Sequence, residues 1–135
     1  MMIGPLITAV ATAVLVYGEK SGDQRIVWLS KPTACVGFLM TALMAGALDT
    51  TYGIAVLVGL ILSTFGDLFL IPKSTKGPFL AGLVAFLLGH VGYTVAFVIR
   101  GVDTTWTLGA FAAFVPIALV VAKWVLPHTA RLKGP

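Results

Sequence analysis

Apolar residues run along this chain in five long blocks, not at every second or every third-to-fourth position. The blocks cover about Ile3 to Tyr17, Pro32 to Leu48, Gly53 to Ile71, Phe79 to Ile99 and Trp106 to Leu126. A half-buried strand or an amphipathic helix would interrupt such runs with polar residues at its own period. Near-continuous apolarity over roughly 20 residues is what a helix needs to cross a bilayer. Polar segments separate the blocks at Gly18–Lys31, Asp49–Tyr52, Lys73–Pro78 and Arg100–Thr105. The pattern predicts an all-α fold. It is a polytopic transmembrane helical bundle of about five spans, forming a single transmembrane domain over residues 1–135.

Local signals refine the spans. The first block lacks a basic leader, which predicts a retained helix and not a cleaved signal peptide. Ser30 is a plausible N-cap for the second span, with Pro32 in its first turn, where proline is tolerated. Thr33, Gly37, Thr41 and Ala45 recur every fourth residue. Such a stripe of small side chains lets helix backbones approach closely, and helices in lipid use that packing where the hydrophobic drive is missing. Pro72 and the short loop to Pro78 leave room only for a tight connection, so spans three and four should be antiparallel neighbours. Pro116 should kink the fifth span. Trp28 and Trp124 suit interfacial anchors, and Lys123 should snorkel outward.

Composition agrees and adds orientation. Of 135 residues, 59% are hydrophobic and only 10% charged, too few charges to cover a water-facing surface. The net charge is +4, but no basic run with interleaved aromatics occurs, so no nucleic-acid partner is expected. Lys20, Arg25, Lys31, Lys73, Lys76, Lys123, Arg131 and Lys133 fall at one set of span ends, and Arg100 alone at the other. The positive-inside rule then puts the N-terminus outside and the C-terminus in the cytoplasm. The membrane expected is the cytoplasmic (inner) membrane of a bacterium. Cys35 is the only cysteine, which rules out an intramolecular disulfide and reads as a small packing residue.

Two ionisable groups sit inside the blocks, and charge at membrane depth is costly enough to mark function. Asp67 precedes Pro72 by five residues, hence roughly 7–8 Å inside the cytoplasmic end. His90 follows Phe79 by eleven residues, roughly 16 Å deep. Ser63 lies one turn from Asp67 on the same face, and Gly82, Phe86, His90, Tyr93 and Phe97 share a face of the fourth span. Asp67, Ser63, His90 and Tyr93 are therefore expected to line one cavity, with a gap of roughly 8–9 Å between the levels of Asp67 and His90. Structural readings stand beside these: a hydrogen-bonding strut for His90, a paired carboxylate for Asp67, core packing for the aromatics. The lysines can serve topology alone. Neither metal-ligand spacing, a nucleophile elbow nor a phosphate loop occurs, so no metal and no cofactor are expected.

Lys31-Pro32 opening a span, Gly66-Asp67 near the end of the next, and Phe86-x3-His90-x2-Tyr93 in the one after resemble the YhhN family. Its animal members are lysoplasmalogenases. The resemblance extends from about Lys31 to Phe97, with weaker similarity on to Gly134-Pro135. It implies hydrolysis of the vinyl ether bond of a lysophospholipid, a membrane lipid, to a fatty aldehyde and a glycerophospho-base. In that chemistry Asp67, with His90 and Tyr93, forms the catalytic group, and Lys31, Ser63 and Lys73 bind substrate. Family members usually have about eight spans and a second membrane aspartate. This chain ends after five, so it is expected to lack the family's C-terminal spans, as a fragment or a shortened relative. The rival classes are a small transporter or channel module using Asp67 and His90 as a polar relay, and a non-catalytic bundle.

Overall fold

The computed structural model describes residues 2–72 and 76–130, with side chains described to residue 124. Five helices follow in order: α1 (Ile3–Ser21), α2 (Gln24–Met44), α3 (Thr51–Phe69), α4 (Lys76–Arg100) and α5 (Thr104–Ala130). No strand occurs among the described residues. All five helices are long and apolar enough to cross a membrane. The protein is an all-α integral membrane protein, as the five apolar blocks predict.

The first polar segment departs from the expectation of a loop. Glycine at position 22 (φ 73°) ends α1 in the left-handed region, and the Asp23 N–H closes the turn on the Gly18 carbonyl at 3.1 Å. Asp23 then caps α2, its side chain accepting from the Arg25 N–H at 2.9 Å. So α2 begins eight residues before Pro32, and Ser30 is not its N-cap. Ser30 is buried inside the helix and donates to the Ile26 carbonyl at 2.7 Å, while Thr33 donates to Leu29 at 2.6 Å. These hydroxyls serve carbonyls on either side of the one that Pro32 leaves without an N–H, which makes an interior proline tolerable in a membrane helix. The charged residues from Glu19 to Lys31 thus ride on helix ends that continue past the apolar blocks.

The chain divides into two units, Met1–Arg100 and Gly101–Pro135. In the first, α1 packs extensively on α2 and α3 on α4, while α2 and α3 meet over a smaller area. It is two helix hairpins joined by the turn Ala45–Thr50. Close backbone approach seals each hairpin. A Cβ added at Gly37 would lie 2.8 Å from the Thr8 nitrogen and 3.0 Å from the Gly4 carbonyl oxygen. At Gly89 it would lie 2.9 Å from Ser63 Oγ and 3.1 Å from the Gly59 carbonyl oxygen. The stripe of Gly37 and Thr41 on α2 meets Gly4 and Thr8 on α1, and Gly66 and Gly82 admit Phe86 and Leu70 between α3 and α4. Helices three and four are antiparallel neighbours, as the short Pro72–Pro78 connection requires. In the second unit, α5 runs unbroken through Pro116 and is apolar on all sides.

The hairpin seams carry a direct stability prediction. Gly37→Ala forces a methyl against backbone on the facing helix and should cost about 1–3 kcal/mol. Gly77→Ala, where a Cβ would meet nothing within 4 Å, should stay within ~0.5 kcal/mol of the parent. Thermal unfolding of the two variants in detergent micelles checks the contrast, and equal midpoints would contradict the close-packed seam.

Candidate functional site

Lys31 and Cys35 are one turn apart on α2, and Asp67 is on α3, so they face one another across the seam between the hairpins. Lys31 Nζ lies 3.4 Å from Asp67 Oδ1 and also 3.4 Å from the Asp67 carbonyl oxygen. The Cys35 thiol donates to Asp67 Oδ2 at 3.9 Å. The carboxylate is therefore held at both oxygens, by an ammonium on one side and a thiol on the other. The side chains of Lys31 and Asp67 keep 19% and 31% of their exposure, so the pair is partly reachable from outside the seam. Cys35 is buried.

Local sequence explains this placement. Gly66 turns toward α4, where the Phe86 ring covers it so closely that a Cβ would fall 2.7 Å from Cδ2. Its neighbour Asp67, about 100° further round the helix, turns toward α2. Lys31 lies seven residues into α2, about 10 Å along its axis from Gln24. Because α2 begins two turns earlier than Pro32 suggests, Lys31 is a residue of the helix body and not of a loop.

Ser63 and Tyr93 form a second group, between α3 and α4. Ser63 donates to the Gly59 carbonyl at 2.9 Å and its oxygen meets the Tyr93 hydroxyl at 3.1 Å. With the serine proton engaged, the tyrosine is the donor in that contact. The Tyr93 ring lies against Gly59, where any Cβ would overlap it.

His90 departs from the expectation of one shared cavity. It is exposed, and Nδ1 bonds the Phe86 carbonyl of its own helix at 2.7 Å, which fixes the proton on that nitrogen. Its ring meets Tyr93 edge-on at 6.1 Å between centroids. The i, i+4, i+7 face of α4 is too broad to point one way: Gly82 and Tyr93 turn toward α3, while His90 and Phe97 turn out. The structure thus brings Asp67 together with Lys31, and Ser63 with Tyr93, but not Asp67 with His90. Lys73 lies outside the described residues. Cys35, a small packing residue by composition alone, joins the site here, and its i, i+4 spacing from Lys31 places it on the same face. Among the described residues, no three metal-ligating side chains converge.

The model of the YhhN family matches residues 26–135. The chain belongs to the YhhN family. No curated protein and no solved structure matches it. The match begins in the first turn of α2 and so takes in both halves of the Lys31–Asp67 pair and the Ser63–Tyr93 contact. In this YhhN chain, Gly66-Asp67 and Phe86 have a joint physical meaning: the glycine seats the ring, and the aspartate beside it faces the neighbouring hairpin.

The two groups predict different costs. Tyr93→Phe removes the hydrogen bond to Ser63 and should destabilise the protein by about 0.6 kcal/mol, with ~1.7 as the upper end for such bonds in membranes. His90→Ala removes an outward ring whose hydrogen bond stays within its own helix, and should change stability by less than ~0.5 kcal/mol. Chemical unfolding in mixed micelles distinguishes them, and a larger loss for His90→Ala than for Tyr93→Phe would contradict the assignment of sides.

Proposed function

We propose that this YhhN-family protein is a membrane-embedded hydrolase that cleaves the vinyl ether bond of lysoplasmalogens. The observation that carries the reading is the Lys31–Asp67 pair, a cation and a carboxylate in contact on two adjacent spans. A single-chain phospholipid presents a phosphate at the headgroup and the vinyl ether just beneath it. The phosphate suits Lys31, and the carboxyl suits the ether.

Cleavage begins with transfer of a proton to the vinyl carbon distal to the ether oxygen, leaving an oxocarbenium ion. Water adds to the carbon attached to that oxygen and loses a proton, giving a hemiacetal. Collapse of the hemiacetal breaks the carbon–oxygen bond and yields the aldehyde and the glycerol hydroxyl. The difficult step is the first, and it needs a positioned acid. When the substrate phosphate draws Nζ away from Oδ1, the Asp67 carboxyl is left facing the vinyl ether, as the positioned acid. The same carboxylate, once it has given the proton up, lies beside the positive charge that it has created. Cys35 on Oδ2 keeps the group from swinging off the seam.

The orientation belongs to the same proposal: the end carrying Lys20, Arg25, Lys31 and Lys76 is cytoplasmic, in the inner membrane of a bacterium. A cysteine at Gly77 in a Cys35→Ser background should resist impermeant thiol reagents in intact cells and react after lysis. Ready labelling of intact cells would reverse the topology.

The chemistry is tested by aldehyde release from a defined lysoplasmalogen, with protein expressed from its intact gene and purified in detergent. Asp67→Asn should lower turnover by ~10²–10⁴-fold while remaining folded. Lys31→Ala should chiefly raise KM, since a phosphate contact is made in ground and transition states alike. Equal rates for wild type and Asp67→Asn would remove Asp67 from the mechanism, and absence of aldehyde from the wild type would overturn the hydrolase reading.

A further inference from the structure

We propose that the Lys31–Asp67 ion pair is a latch across the α2–α3 seam, and that the phosphate of a single-chain lipid opens it to admit that lipid sideways. The inference rests on the hydrolase reading for the identity of the lipid, but not for the latch itself. Three observations support it.

The first is the unequal strength of the seams. Glycine-to-backbone contacts close α1 on α2 and α3 on α4, so each hairpin is tightly packed along its own seam. The α2–α3 seam between them is the smaller contact. The second is where that seam is tethered. At one end the turn Ala45–Thr50 joins the hairpins, with Gly46 at φ 79° and Gly53 pressed on the Ala47 carbonyl. That end is fixed. At the other end no chain connects α2 to α3, and the polar contacts that bridge them there include those of Lys31 and Cys35 with Asp67. A body hinged at one end and held by an ion pair at the other opens at the ion pair. The third is the chemistry of the hold. Lys31 Nζ meets a carboxylate oxygen and a carbonyl oxygen, the kind of acceptor set that a phosphate offers in one group. A phosphate therefore displaces both contacts together and removes the cross-seam charge.

Cys35 lies behind the latch, 2% exposed and facing Asp67, and it is the chain's only cysteine. Its rate of alkylation by N-ethylmaleimide in maltoside micelles reads the opening without requiring any turnover. Lys31→Met should label about fivefold or more faster than wild type, whereas Lys31→Arg, which keeps the pair, should stay slow. Adding a lysophospholipid with a saturated ether chain should speed wild-type labelling several-fold. An alkylglycerol of the same chain, which lacks the phosphate, should not. Ala96→Cys in a Cys35→Ser background reports the α3–α4 hairpin, where the parent alanine is fully buried, and should stay slow throughout.

Lys31→Met labelling at or below the wild-type rate would overturn the latch, as would equal acceleration at Ala96→Cys, which means general loosening. Should Lys31→Met fail to fold, the lipid arm on wild type decides alone, and no phosphate-dependent acceleration overturns the proposal. If the phosphate speeds labelling while vinyl ether lipids release no aldehyde, the latch stands and the hydrolase reading falls.

Discussion

Lipid tails are as apolar as the side chains they touch, so burial cannot drive these helices together, and the bundle depends on how closely backbones approach. Glycine supplies that approach. Gly4 and Gly37 bring α1 onto α2, and Gly59, Gly89 and Gly92 bring α3 onto α4. The consequence is that residues 1–100 form two tightly packed pairs and not four equivalent helices. Polar side chains then divide by seam. Ser63 and Tyr93 pin the α3–α4 pair from within, and Lys31, Cys35 and Asp67 span the junction between pairs.

That division gives Asp67 its chemical interest. A carboxylate sealed inside a hairpin would be a strut. One on the looser junction, partly exposed and shared between an ammonium and a thiol, can exchange partners when a ligand arrives. The neighbouring Gly66 serves the opposite purpose, giving Phe86 a seat and fixing α3 against α4. Two adjacent residues thus anchor one interface and arm the other, which accounts physically for their occurring together in a YhhN chain.

Much of this was legible in the sequence. Uninterrupted apolar blocks gave five spans because lipid imposes length and composition directly on the chain. The small-residue stripe on α2 pointed to a packing face, and Gly37 and Thr41 lie on one. The start of α2 is hidden in the sequence because Pro32 is a stronger local signal than Ser21-Gly22-Asp23, which ends one helix and caps the next. The observed start moves Lys31 from a loop into the helix and into reach of Asp67. The position of His90 was not legible, since three-and-four spacing defines an arc of a helix and not which part of the arc meets a neighbour. Cys35 was readable from its spacing to Lys31, but a lone apolar-looking thiol carries no signal until its carboxylate partner is known.

The junction of the two hairpins depends on an energetic link between α2 and α3 through Lys31 and Asp67. A double-mutant cycle tests it most directly, with unfolding free energies in micelles for wild type, Lys31→Met, Asp67→Asn and the double variant. The expected result is a favourable coupling of about 0.5–1.5 kcal/mol, above the value typical of exposed ion pairs because the junction is only partly solvated. Additive losses, within ~0.3 kcal/mol of zero coupling, would show that the pair does not join the hairpins and would contradict the account.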